Sequence, residues 1–252
     1  MSAGLLIGVG VGPGDPDHLT LKALKALTSA DRVFVPQTDG PAASGEAGRA
    51  ERVVAPHVAP DKIERLTFAM QDDAARAGNW DRAGAAIAAV CAEGGTAVFA
   101  TVGDPNVYST FTYVAHTVRA LVDGLRVETV PGIMALQDLA ARSGTVLAEG
   151  DERLALVPSS AGDDAVRDAL RDFESVVIYK GGRRLQAVLE AAADHDRLEA
   201  AVYGAELGQQ GEDVGPAAGR TRGPYMSTVL LPPPRGAERG SSLTRSRAEG
   251  KI

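Results

Sequence analysis

One cysteine and an aromatic content of 4% leave this 252-residue chain without the usual means of stapling a small secreted fold. A lone Cys91 excludes an internal disulfide framework and suggests a reducing compartment. Its setting, WDRAGAAIAAVCAEGG, reads as a helix packed on a core rather than as a nucleophile's surroundings. Positive charge is also in short supply: 26 Lys and Arg stand against 33 Asp and Glu, a net charge of -7. That argues against a general nucleic-acid binder, although a local basic pocket for an acidic ligand remains compatible with it. No apolar run approaches the roughly 20 residues of a membrane span, and the first residues lack the basic and apolar regions of an export signal. The expectation is a cytoplasmic protein with no membrane contact. Histidines are scattered at His18, His57, His116 and His195 without a second His or Cys at ligand spacing, so no protein-bound metal is expected.

Two phosphate-binding signatures are missing as well. GVGVGPGDPDHLTLKALKAL, residues 8 to 27, is dense in glycine, yet a GxGxxG frame from Gly8 meets Pro13, one from Gly10 meets Asp15, and one from Gly12 meets Asp17. The GxxxxGK[ST] loop fails too, because no lysine follows these glycines before Lys22. Taken alone, the stretch is equally consistent with a tight strand-to-helix turn relieved by glycine and with a ligand loop that holds no pyrophosphate.

What is present is an alternation of short β-branched runs with helical patterns. LLIGVGV at 5 to 11 precedes LTLKALKAL, where Leu19, Leu21, Leu24 and Leu27 approximate one helical face. RVFVP at 32 to 36 is a second strand, followed by a mobile loop, TDGPAASGEAGRA. WDRAGAAIAAVCAEGG predicts a helix, TAVFATVGDP a strand and YSTFTYVAHTVRALV a helix, and a second series begins after VETVPG at 127 to 132. It runs helix MALQDLAARSG, strand ERLALVPSS, helix DDAVRDALRDF, strand SVVIYKGG, helix RRLQAVLEAAAD, then strands in AAVYGAELG and YMSTVLLPPP. This order predicts two consecutive α/β domains with mainly parallel or mixed sheets, over 1–126 and 127–234. Residues 235–252 carry +3 and are expected to form a disordered tail. Binding sites in such sheets lie at the carboxyl ends of the strands, where the glycines fall.

Three strand ends carry tight polar turns: GVGPGDP at 10 to 16, VGDPNVYSTF at 102 to 111 and VPGIM at 130 to 134. In their order, together with LTLKALKALTSADRVFVP, VVIYKGGR, VYGAELGQQGEDV and PYMSTVLL, the chain from residue 5 to about 231 resembles the S-adenosylmethionine-dependent tetrapyrrole methylases. Within that family, GDPNVYSTFTYV looks most like the branch that methylates C20 of precorrin-2 or cobalt-factor II in cobalamin synthesis.

The resemblance implies a cofactor site between two α/β domains, a tetrapyrrole substrate and a homodimer. It implies cofactor contacts at Pro13, at Val102, Gly103, Asp104 and Val107, and at Met134 and Ala135. Further contacts are implied at Tyr179 and Lys180, at Gly204 and Ala205, and at Tyr225 and Met226. Gly12, Gly14, Asp15 and Tyr108 are implied on the substrate side. No catalytic base stands out; Asp104, Asp15 and Tyr108 are candidates by position. The carboxylates of the substrate would suit arginine donors, for which Arg142, Arg153, Arg183 and Arg184 are available.

Met134 departs from the pattern, because many relatives place a small hydroxyl residue after PGI. It leaves a non-catalytic tetrapyrrole-binding protein as a rival reading, beside methylation at another ring position or of another substrate. A nicotinamide-dependent oxidoreductase lacks its glycine frame here.

Overall fold

The computed structural model describes residues 4–38, 46–68 and 73–234, and of Thr38 and residues 73–77 only the backbone. The expected mobile loop falls largely, and the expected tail wholly, outside the described residues. The chain divides into two compact units, up to Met134 and from Ala135 onward.

The first unit is a parallel sheet of five strands in the order β3-β2-β4-β1-β5. They are β1 (Leu5–Gly10), β2 (Arg32–Thr38), β3 (Ile63–Phe68), β4 (Thr96–Thr101) and β5 (Arg126–Val130). Helices α1 (Leu21–Ser29), α2 (Arg49–Val54), α3 (Asp73–Ala92) and α4 (Phe111–Leu121) connect them. Successive side chains of a strand face opposite sides of a sheet, so a parallel sheet covered on both faces needs apolar residues at every position. The central strands supply them. Val9, Val33, Val35 and Val98 pack with α1 and α2 through Leu27 and Val53. Leu6, Phe34 and Phe99 pack with α3 and α4 through Ile87 and Val114. Cys91 lies in this second core, buried, and its burial raises the thiol pKa above the ordinary value.

Two expectations are corrected here. Of the expected face Leu27 is buried, but Leu21 is 77% exposed and Ala23 is buried in its place, because the helix starts at Leu21 with the Thr20 hydroxyl accepting from the Ala23 N–H and presents the 23–27 edge to the sheet. The boundary between units falls after Met134 rather than after residue 126, because β5 pairs along its length with β1 and is a strand of the first sheet.

The second unit holds β6 (Leu154–Pro158), β7 (Ser175–Tyr179), β8 (Val202–Ala205), β9 (Asp213–Pro216) and β10 (Ser227–Leu231). They form a mixed sheet in the order β6-β7-β10-β8-β9. Strand β10 runs antiparallel to both neighbours, with Thr228 opposite Tyr179 on one side and Gly204 on the other. Helices α6 (Asp163–Asp172) and α7 (Leu185–Asp194) cover one face through Val166, Leu170 and Val188 against Val176, Ile178 and Val229. Helix α5 (Ala135–Ser143) packs close against β8: a Cβ built on Gly204 would lie 2.6 Å from Leu139 Cδ1. No helix among the described residues is long and apolar enough to cross a membrane.

Candidate functional site

The glycine-rich turns of the first unit meet at the carboxyl ends of β1, β4 and β5. Strand β1 does not stop cleanly at Gly10: the Val11 N–H donates to Thr101 O, and the Gly103 N–H donates to Gly12 O at 2.9 Å. Gly12 and Gly103 form an isolated antiparallel bridge, both with left-handed φ, +81° and +71°. A Cβ on Gly132 would lie 2.1 Å from the Gly103 carbonyl oxygen and 2.7 Å from Gly10 Cα, a separation that no side-chain-bearing residue allows. The first question posed by the sequence therefore has a structural answer. The glycines let three strand-end loops pack backbone to backbone.

Asp104 ties the group together. One carboxylate oxygen accepts from the Gly132 N–H at 3.1 Å and the other from the Asn106 N–H at 2.8 Å. Such an arrangement suits a positioning carboxylate, with each oxygen engaged by a fixed backbone donor. Asp15 likewise caps the short 3-10 turn at Pro16–His18, accepting from the Asp17 N–H at 2.9 Å. Of the three positional candidates for a base, Tyr108 is the exposed one, held at a left-handed φ of +51°. Gly12, Pro13 and Gly14 are buried, while Val102, Gly103, Asp104, Val107 and Met134 are partly open. On the side where Gly103 lacks a Cβ, nothing among the described residues lies within 4 Å.

In the second unit, the carboxyl ends of β7 and β8 coincide with the amino end of β10. The Tyr179 hydroxyl accepts from the Leu136 N–H at 3.1 Å, so the last residue of β7 caps the first turn of α5 beside Ala135. Lys180 follows at a left-handed φ of +58°; its carbonyl accepts from the Ser159 hydroxyl at 2.6 Å, and its ammonium lies 5.6 Å from the Tyr225 ring centroid. Tyr225 and Met226 are 39% and 42% exposed at the start of β10. Gly204 and Ala205, by contrast, are buried in the sheet.

Three of the four arginines named from the sequence are committed to carboxylates. Arg142 bridges Asp138 at 2.8 Å and Glu212 at 2.9 Å, Arg153 pairs with Glu174 at 3.0 Å, and Arg184 pairs with Asp163 at 2.7 Å. Arg153 and a backbone N–H hold the Glu174 carboxyl down to about 2. Arg183 is exposed and has no carboxylate partner among the described residues. Sequence reasoning passed over Gly132, Leu136 and Ser159, whose contributions are backbone groups or one small hydroxyl; only the PGI turn around Gly132 carried a visible signal.

Comparison with known proteins gives this arrangement a family. The tetrapyrrole (corrin/porphyrin) methylase family model matches residues 5–219. A precorrin-2 C(20)-methyltransferase from Sinorhizobium is 33% identical over 245 residues, 92% of this chain and 96% of that protein. A probable cobalt-precorrin-2 C(20)-methyltransferase from Methanocaldococcus jannaschii is 36% identical over 69% of this chain and 70% of its own. Among solved structures, uroporphyrin-III C-methyltransferase from Thermus thermophilus, complexed with S-adenosyl homocysteine, shares the fold at a TM-score of 0.63 and 22% identity, covering 90% of this chain and 97% of that one. The chain belongs to the tetrapyrrole methylase family.

Proposed function

We propose that this protein transfers a methyl group from S-adenosylmethionine to C20 of precorrin-2 or its cobalt form, in cobalamin synthesis. The observation that carries the reading is the near end-to-end match to a relative named for that reaction.

The residues present fit such a cofactor. It has no phosphate, and the strand-end loops accordingly carry neither of the phosphate-cradling frames. They offer a backbone left open at Gly103 and, in the second unit, the half-exposed Tyr225 and Met226 with the amino end of α5. Val102, Gly103, Val107 and Met134 of the first unit, and Ala135, Tyr179 and Met226 of the second, are the proposed contacts. Asp104 acts through its hold on Gly132, and Tyr179 through its cap on Leu136. When bound, the cofactor supplies a methyl group on a sulfonium centre, already a strong electrophile. The protein's share is then to hold the reacting partners in line, which rigid loops fixed by short backbone contacts are suited to do.

The protein is further proposed to be a cytoplasmic homodimer, which light scattering tests for the assembly. For the activity, anaerobic incubation with S-adenosylmethionine and either tetrapyrrole should raise the tetrapyrrole's mass by one methyl group. Cofactor binding with no mass gain would favour the non-catalytic reading.

A further inference from the structure

A tetrapyrrole of this class carries several carboxylates, and the second unit contains nine arginines among its described residues. Seven of them are already spent on partners within the protein. Arg142, Arg153, Arg167, Arg171, Arg184 and Arg220 pair with carboxylates, and Arg197 donates to the carbonyls of Phe173 and Glu174. The remaining two, Arg183 and Arg222, are exposed and have no such partner among the described residues.

These two are far apart in sequence and close in the fold. Arg183 leaves the carboxyl end of β7, Arg222 leads into the amino end of β10, and the two strands pair antiparallel. The segments that carry them touch: the Gly223 N–H donates to Gly182 O at 3.0 Å, and a Cβ on Gly182 would lie 2.0 Å from Pro224 O. Lys180 and Tyr225 sit on the same two segments, in contact with each other. Neither 179–186, YKGGRRLQ, nor 217–226, AAGRTRGPYM, contains an acidic residue, and although Asp163 and Asp213 engage Arg184 and Arg220, no ion pair engages Arg183 or Arg222 among the described residues.

We infer that Arg183 and Arg222 form a carboxylate clamp that receives an acidic side arm of the substrate. The inference rests on the tetrapyrrole reading above. Arginine suits the role because its planar fork donates two parallel hydrogen bonds to one carboxylate. The Gly182–Gly223 contact fixes the spacing of the two backbones.

The test is titration of precorrin-2 or cobalt-factor II under anaerobic conditions, read by absorbance, against wild type, Arg183→Ala, Arg222→Ala, the double variant, and Arg171→Ala as an exposed but paired control. Cofactor affinity is measured in parallel by calorimetry. Each single alanine is expected to weaken tetrapyrrole binding about tenfold and the double about a hundredfold, in the range of charge-assisted hydrogen bonds. The lysine variants should keep more affinity than the alanines, and cofactor affinity should stay within about twofold. Wild-type affinity for the tetrapyrrole in the double variant would overturn the clamp alone. A wild-type protein that holds cofactor but no tetrapyrrole would overturn the clamp and the functional reading together.

Discussion

The carboxylate of Asp104 accepts a hydrogen bond from the Gly132 N–H at 3.1 Å, joining the loop after β4 to the loop after β5. Its other oxygen accepts from the Asn106 N–H at 2.8 Å. Asp104→Ala removes both acceptors and leaves two backbone donors to find water. The exposed Asn106 N–H recovers a water partner, while leaving the part-buried Gly132 N–H short of an acceptor costs about 1–3 kcal/mol, so urea unfolding should place the variant that far below wild type. Asp104→Asn keeps one oxygen and turns an amide N–H₂ toward a second donor. It should fall between the two in stability while losing cofactor affinity as Asp104→Ala does.

Gly182→Ala should damage the second unit more than its chemistry suggests. The added methyl would meet the Pro224 and Gly223 carbonyls at 2.0 and 2.3 Å, and backbone cannot step aside as a side chain can. Overpacking of this kind costs about 1–3 kcal/mol. Thermal unfolding checks the cost, and weakened tetrapyrrole binding should accompany it because the β7 and β10 segments are pushed apart.

Tyr179→Phe isolates a single hydroxyl. Its loss uncaps the Leu136 N–H at the start of α5 and should lower stability by about 0.5–1.5 kcal/mol, typical of one hydrogen bond. If Tyr179 also orders Ala135 for cofactor contact, calorimetry should find S-adenosylmethionine bound more weakly in proportion.

Stability should also depend on the Arg153–Glu174 pair in a particular pH window. The folded-state carboxyl of Glu174 is held at about 2 against an ordinary value of 4.5, so folding favours its ionised form. The contribution is complete above about pH 4.5 and disappears as pH falls toward 2. Both side chains are substantially exposed, 61% and 41%, so solvent screening keeps it small. Melting temperatures of wild type and Glu174→Gln should differ by a constant amount near neutrality and converge between pH 4.5 and 2.

Much of this was legible because strands and helices announce themselves by period. VFV, VFA and VVI runs, alternating with amphipathic stretches, predict β2, β4 and β7 without reference to a structure. Strand β9, Asp213–Pro216, was not legible: DVGP has one apolar side chain, a glycine and a proline, and it is a strand because it lines up along the edge of β8. Helix α2 and strand β3 escaped for a related reason, since IERLTF alternates weakly and pairs only with β2.

The site was legible in its turns and obscure in its partners. GDP and PGI marked Asp104 and Gly132 as turn residues, yet their mutual hydrogen bond joins loops that only the sheet order β4-β1-β5 brings together. Which arginines stay available could not be read from sequence either. Arg183 and Arg184 are neighbours in the chain, and Asp163 engages only Arg184.

The most direct test of the account is the position of the new methyl group. After anaerobic turnover with S-adenosylmethionine carrying a 13C methyl, NMR of the product from precorrin-2 or cobalt-factor II should give a single labelled methyl on C20. Label at another carbon, or no label although calorimetry finds the cofactor bound, would contradict it.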